Sequence, residues 1–484
     1  MLLKKSVDEM LMKARSHVNN GNILEAQRLY QDIFQAKKEL MKLEFKALNK
    51  SFHSKTVRNL HKEEINKLLN LYKEGQFNAV VKKAKVLTLE YPQEFIIWNL
   101  MGASATEIGM LDQAIIAYKK AISLKPDYAE VYCNMGIALQ KQNKLDEAIQ
   151  AYNKAISYDS EYVDAHRNLS FALLNSGRLK EGFDEYEWRW KTSVYLLNKR
   201  KFPQRLWNEK ECLSGKKILL WCEQGIADTI MWSSCLPLIA SQAKQCILEC
   251  QPKLVPLLKR SFPDVKIKAE NRSLDSQRDD FDFHLPMGSL YKNFIEEISK
   301  VDNRKSYLVP DRDRVRFWKK RLKSTGKGPY IGISWKSANL SSRRQPNFAD
   351  ISELSPVVTL PGLTFINLQY TDFINDLAKV QNQHGVKIHN FDDLDHFNNI
   401  DDVAALCSAL DIVVSTQSVI ASISAGTGTS TKLANWKPSS NNNILYKPVG
   451  PLVEKYEREA LEPWENVFQL IANDITDYYK LSQI

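Results

Sequence analysis

No apolar run in these 484 residues approaches the ~18 that a membrane-crossing helix needs, so no spanning segment is expected. The first residues, Met1-Leu2-Leu3-Lys4-Lys5, meet charge too early for a secretory leader, and the expectation is a cytoplasmic protein. Seven cysteines, an odd number without regular spacing, exclude a disulfide framework and read as reduced thiols. Cys246 and Cys250 lie four apart in a strand-like segment with no His or Cys cluster of metal-ligand spacing nearby, so no structural zinc is expected. The basic residues lack the interleaved aromatics of a base-stacking platform. Much of the net charge of +10 sits in the first sixty residues, where twelve lysines and arginines face six carboxylates. A second basic cluster, Arg312 to Lys327, alternates with apolar residues as a solvated helix does. Nucleic acid is therefore not the expected partner, and anionic ligands or solubility account for the charge.

What is present repeats itself. From His61 a pattern of small and large apolar residues returns about every 34 residues, the period of a helix-turn-helix solenoid. The clearest copy carries Trp98, Gly102, Ala105, Gly109, Ala114, Tyr118, Ala121 and Pro126; the next has Tyr132, Gly136, Ala148, Tyr152 and Ala155. This is a tetratricopeptide lattice. Its small residues fall where paired helices approach closely, its aromatics fill the gap beside them, and Pro126 ends a helix. The register extends upstream through Gly75, Ala84 and Pro92 and downstream through Leu169, Gly177 and Tyr186, with an outlying copy at Gly21, Ala26 and Tyr30. Roughly five units suffice for a continuous core. The expected partner is a protein or peptide in the concave groove.

After Tyr186 the pattern changes. Glu187-Trp188-Arg189-Trp190 closes the last helix, and β-branched runs then alternate with helical stretches. Strands are predicted at Lys217 to Cys222, Gln245 to Cys250, Val265 to Ala269 and Asp282 to Leu285, with helices at Asp228 to Ala240 and Lys253 to Ser261. A basic helix, Asp311 to Leu322, and the breaker Gly326 to Pro329 separate a second unit. Its strands are predicted at Tyr330 to Trp335, Leu363 to Gln369, Val386 to His389 and Asp411 to Ser415, and its helices at Asp401 to Ala409 and Ser418 to Gly426. Such alternation makes parallel, doubly wound sheets. Two Rossmann-like units in series are the GT-B glycosyltransferase architecture, and ligands are expected at the carboxyl ends of the strands.

Three stretches carry chemistry. Asp228 follows a strand and opens a helix; an Asp there either caps the helix or serves as the base that deprotonates an acceptor hydroxyl. Ser334-Trp335-Lys336-Ser337-Ala338-Asn339, followed by Ser341-Ser342-Arg343-Arg344, is either a solvated loop or a diphosphate cradle of hydroxyls, amides and counter-charges. Ser418, at a helix amino terminus, can donate to phosphate. Gly426 to Thr431, small and polar, reads equally as a flexible turn. His284, at a strand end, reads as a packed histidine. The acidic run Phe391 to His396 lacks the calcium-loop spacing and reads as a solvated loop.

The segment Glu223-Gln224-Gly225-Ile226-Ala227-Asp228-Thr229-Ile230 resembles the Gly-x-Gly-Asp element of the heptosyltransferase-like (glycosyltransferase family 9-like) group. The resemblance continues through Gly332 to Lys336, Phe365 to Gln369 and Ala404 to Ser415, within a span from Glu181 to Asp474. It implies inverting transfer of a sugar from a nucleotide-sugar donor to a hydroxyl, with Asp228 as the base and no metal or other cofactor. It implies Gly225, Lys336, Asn339, Arg343, Arg344, Gln369, Gln417, Ser418 and Ser422 at the donor. Where the family usually has Asp-Thr-x-x-x-His, this chain has Gln417 and Ser422 in place of the Asp and the His. That departure keeps an alternative open, an inactive repeat scaffold with a degenerate transferase-like domain. The expected organisation is a helical region at 1–60 with a divergent repeat and connector, repeats at 61–195, one Rossmann-like unit at 196–322, and a second with a closing helix at 323–484.

Overall fold

The computed structural model describes residues 55–299, 306–338, 347–436, 452–458 and 462–481, with the single positions Met10 and Leu29. The divergent copy at Gly21, Ala26 and Tyr30, the connector after it, and Asn339, Arg343 and Arg344 lie outside the described residues. The chain divides into two compact units, Met1–Ser104 and Ala105–Ile484.

In the first unit, helices Lys55–Lys73 and Phe77–Glu90 form a pair that buries Leu68, Val80 and Ala84. The second unit opens with the repeats, as helices Leu111–Leu124, Ala129–Lys141, Leu145–Tyr158, Val163–Asn175 and Leu179–Tyr186. One backbone device recurs at every turn between paired helices. Gly75, Gly109, Asn143 and Gly177 have φ of 73°, 77°, 60° and 84°, the left-handed region that glycine enters freely and asparagine tolerates. A side-chain device shares the period: Trp98 Nε1 donates to Pro92 O at 3.1 Å and Tyr132 OH to Pro126 O at 2.9 Å, while His166 Nε2 lies 3.0 Å from Ser160 O. Each ring ties its helix to the carbonyl six residues back. Gly136 lies where a Cβ would come within 2.5 Å of the Tyr152 ring, the close approach that the small-residue lattice implies.

A 3-10 turn at Glu187–Lys191 closes the solenoid, and two all-parallel sheets follow. The first contains β1 (Arg205–Leu206), β2 (Lys217–Trp221), β3 (Gln245–Cys250), β4 (Val265–Ala269) and β5 (Phe283–Pro286), in the order β1-β5-β2-β3-β4. The second contains β6 (Tyr330–Ser334), β7 (Thr364–Asn367), β8 (Ile388–His389), β9 (Ile412–Ser415), β10 (Ser430–Trp436) and β11 (Val453–Arg458), in the order β11-β10-β9-β6-β7-β8. Read from the other edge, this second order is that of a dinucleotide-binding Rossmann sheet. Helices on both faces leave the central strands almost without solvent contact, hence the unbroken apolar runs Ile218-Leu219-Leu220 and Ile412-Val413-Val414.

All eight strands expected from the sequence are present, each within a few residues of its expected ends. The helix expected over Asp228 to Ala240 is broken into Ile226–Trp232, a 3-10 turn at Ser233–Cys235 and Leu236–Ala240, where Pro237 cannot continue the ladder. Strands β1, β10 and β11 were not expected. β1 and β11 are sheet edges with partly exposed, charge-rich sequences, and β10 begins inside the small polar stretch after Gly426. That stretch is structural: Gly426 admits the Leu308 side chain where a Cβ would sit 2.6 Å away, and Gly428 caps the helix Val419–Thr427 with φ of 78°. His284 is buried in β5 and accepts from Trp221 Nε1 at 3.3 Å, and burial lowers its pKa to about 4. No described helix is long and apolar enough to cross a membrane.

Candidate functional site

Each sheet reverses its strand order beside its first long strand, and Asp228, Lys336 and Ser418 lie on the segments that leave the strands at those two reversals. In the first sheet the reversal lies between β2 and β5. The chain leaving β2 forms the turn Glu223 to Gly225 and enters the helix Ile226–Trp232, with Asp228 as its third residue. The Asp228 carboxylate is half-buried and accepts from Gly225 N at 3.2 Å, so the capping role is realised. Gly225 itself is exposed, and an added Cβ there would meet nothing closer than Asp228 Oδ2 at 3.4 Å. Close by, Gln224 Nε2 donates to the Tyr186 hydroxyl and Gln251 Nε2 to Gln224 O. Burial raises the pKa of both Tyr186 and Tyr195, and the Asp228 charge adds to the effect.

In the second sheet the reversal lies between β6 and β9. Lys336, just beyond β6, pairs with Asp376 at 2.7 Å, and Trp335 Nε1 donates to the same carboxylate oxygen at 3.0 Å. Gln369, fully buried after β7, is a clamp. Its Oε1 accepts from the amides of Trp335 and Lys336 at 3.0 and 3.1 Å, and its Nε2 donates to Lys336 O at 2.8 Å and Thr371 Oγ1 at 2.6 Å. It shapes the loop after β6 and leaves no surface to a ligand. Gln417 donates to Asn435 Oδ1 on β10. Ser418 is the amino-terminal cap residue of the helix Val419–Thr427, with its hydroxyl 3.0 Å from that of Ser415. Ser422 is buried inside that helix. The helices Ile226–Trp232 and Val419–Thr427 pack against each other, so elements leaving β2 and β9 share one core.

The acidic run after β8 corrects the expectation of a merely solvated loop. Phe391, Leu394 and His396 are buried while Asp392, Asp393 and Asp395 are exposed, and the run walls a cavity of about 250 Å³ with Tyr370, Phe373, Asn390 and Phe397. Its carboxylates serve their own surroundings: Asp392 accepts from Asn390 Nδ2 at 2.6 Å, Asp395 from the amides of Phe397 and Asn398 at 3.0 and 2.9 Å, and Asp393 pairs with Arg321 at 2.5 Å. The cavity lies at the carboxyl ends of β7 and β8, and Tyr370 OH donates to Ser337 Oγ at 3.0 Å, which joins it to the Lys336 loop. The place of these aromatics after two strand ends is the sequence signal for such a cavity, and the three exposed aspartates among them mask it.

Sequence reasoning also missed a buried ionic cluster beside the Asp228 turn. Glu223 Oε1 accepts from Arg189 Nη2 at 3.1 Å and from Gly288 N at 3.0 Å, while Oε2 is buried without a hydrogen-bond partner. Desolvation raises the Glu223 pKa from 4.5 to about 7 against the pull of Arg189. Because the folded value lies above the unfolded one, ionising Glu223 costs stability progressively as pH rises from 4.5 to 7. Glu223→Gln should therefore gain on the wild type over that window by up to ~3 kcal/mol, read from paired urea denaturations at several pH values. A difference independent of pH would show that Glu223 titrates normally.

The fold is a tetratricopeptide solenoid joined to a module of two parallel, Rossmann-like sheets in series, the GT-B arrangement. The repeat families match directly: TPR repeat over residues 104–143 and tetratricopeptide repeat over residues 129–162. Over 408 residues the chain is 27% identical to Protein FlbA of Caulobacter vibrioides, covering 80% of this chain and 68% of that protein. Among solved structures it is similar to MamA from Desulfovibrio magneticus, with 17% identity, 39% of this chain and 97% of that one covered and a TM-score of 0.26. It is also similar to a glycosyl transferase family 9 protein of Veillonella parvula, with 11% identity, 56% and 92% covered and a TM-score of 0.40.

Proposed function

We propose that the chain is an inverting glycosyltransferase that uses a nucleotide-sugar donor, with the repeats recruiting a protein acceptor. The observation that carries the reading is the aromatic cavity after β7 and β8, continuous with the Lys336 loop at the reversal point of a Rossmann-ordered sheet. The base and ribose occupy the cavity, against Tyr370 and Phe397 and within reach of the Asn390 and Asp392 polar atoms. The diphosphate extends toward Lys336 and Ser418. An ammonium has three donors, and among the described residues Asp376 accepts from Lys336, which offers its remaining donors to phosphate oxygens. Arg343 and Arg344 supply further counter-charge, and Asn339 a polar contact. Asp228 takes the proton of the acceptor hydroxyl, the hydroxyl oxygen bonds to the anomeric carbon, and the bond from that carbon to the β-phosphate oxygen breaks. No metal or cofactor enters this scheme.

Lys336→Ala should weaken binding of a nucleoside diphosphate about tenfold more than binding of the matching nucleoside, because the lost charge meets only phosphate. Calorimetry with a panel of such pairs, with and without EDTA, reads both effects. EDTA should change nothing, and equal losses for the two ligands would remove Lys336 from the phosphate. The second reading, a catalytically inactive scaffold that acts through its repeats, is favoured by Gln417, whose amide donates to Asn435. A wild-type protein that binds no member of the panel but still captures its protein partner would select the scaffold.

A further inference from the structure

The 3-10 turn that ends the solenoid supplies an arginine to the interior of the first sheet unit. Arg189, 2% exposed, donates through Nη2 to Glu223, just after β2, and to Ser289 Oγ at 2.9 Å, just after β5; its Nη1 donates to Glu187 Oε1 at 2.5 Å. Ser289 Oγ in turn donates to Glu187 at 2.8 Å. The rings of Tyr186 and Trp190 lie 4.6 and 4.8 Å from the guanidinium. The fit on the far side is tight, since a Cβ on Gly288 would stand 2.4 Å from Glu223 Oε1 and 3.2 Å from Arg189 Nη2. Glu223 is followed by Gln224, which bonds Tyr186 through its side chain, and then by Gly225, which bonds Asp228. Thus every step from the solenoid's last residues to the Asp228 carboxylate is a hydrogen bond or a peptide link.

We infer that Arg189 and Glu223 are positioning residues: the end of the repeat solenoid holds the turn from Glu223 to Asp228 in its working conformation. Burial favours this over a purely stabilising role. An ion pair in so dry a place contributes little net stability compared with apolar residues of the same shape, whereas it fixes one geometry. The inference rests on the proposed role of Asp228 only for its consequence in transfer, because the order of the turn is measurable by itself.

The test compares the full-length wild type with Arg189→Met and with Arg189→Met combined with Glu223→Gln. Removing Arg189 alone leaves Glu223 facing Glu187 and Gly288, and should lower the melting temperature. Removing both charges should restore most of the loss. Hydrogen exchange of the peptide 223–230 should be at least tenfold faster in both variants, while the peptides 364–369 and 412–418 exchange as in the wild type. In transfer assays kcat should fall at least tenfold in both, with KM for the donor within about twofold. If exchange at 223–230 stays at the wild-type rate in Arg189→Met, or returns to it in the double variant together with melting temperature, the pair only stabilises and the inference fails. A wild type that binds no nucleotide and transfers no sugar would defeat the enzyme reading alone, since the exchange comparison would still decide whether the pair orders the turn.

Discussion

Asp228→Asn should lower sugar transfer by about a hundredfold or more while nucleotide binding and melting temperature stay near wild type. The reason lies in the capping part that the carboxylate plays and the proton-accepting part that the proposed function adds to it. Its Oδ2 accepts the Gly225 amide at 3.2 Å and so closes the first turn of the helix Ile226–Trp232. An asparagine carbonyl accepts the same bond, so the helix start survives, and the lost charge near that start costs only a few tenths of a kcal/mol. What asparagine does not do is take a proton from a hydroxyl. Asp228→Ala, which removes both parts, should lose stability as well as transfer. Transfer by Asp228→Asn at the wild-type rate would leave Asp228 a cap and nothing more.

The largest stability effect is expected at Tyr152→Ala, about 3–5 kcal/mol by the scale of buried aromatic truncations. Tyr152 has no solvent exposure, and its hydroxyl donates to Gln140 Oε1 at 2.9 Å. The ring fills the space that Gly136 leaves: a Cβ at 136 would lie 2.5 Å from Cε1 and 2.8 Å from Cδ1. Truncation opens a void bounded by backbone, which collapses poorly. Gly136→Ala should therefore harm the wild type through collision and partly rescue Tyr152→Ala, where the methyl enters the vacated space and improves helix propensity. Urea unfolding followed by circular dichroism measures all four proteins. A cost below about 1 kcal/mol for Tyr152→Ala would mean that the interhelical gap closes without the ring.

The repeats were legible because one physical requirement, close approach of paired helices, recurs at a fixed spacing and leaves Gly136 and Ala148 as its mark. The sheets were legible because strands buried on both faces, such as Leu219 and Val413, admit only apolar residues. Edge strands escaped notice for the opposite reason, since Glu454 and Lys455 on β11 face partners that the local sequence does not name. The candidate site was legible in position but not in use. The expected strands and the family resemblance put Lys336, Gln369 and Gln417 at strand ends, yet neither could reveal that Asp376 pairs with the lysine, that Gln369 is spent on backbone, or that Gln417 turns to Asn435. Those outcomes depend on residues 18 to 40 positions away. Arg189 and Glu223 were hidden for the same reason, because the one link between them that matters spans 34 residues.

Within the second unit the left-handed turn residues Gly109, Asn143 and Gly177 also make the solenoid a ruler with interchangeable segments. Excising the stretch from one such residue to just before the next joins equivalent backbone positions, so both flanking helices keep their faces and the tie from each ring to its carbonyl. A cut of any other length brings a side chain that rejects positive φ to the joint and rotates every later helix out of phase. Solenoid length can therefore change in whole repeats while Tyr186 and Arg189 stay where they meet the sheet, and under the proposed function reach toward a protein acceptor would then vary independently of sugar transfer.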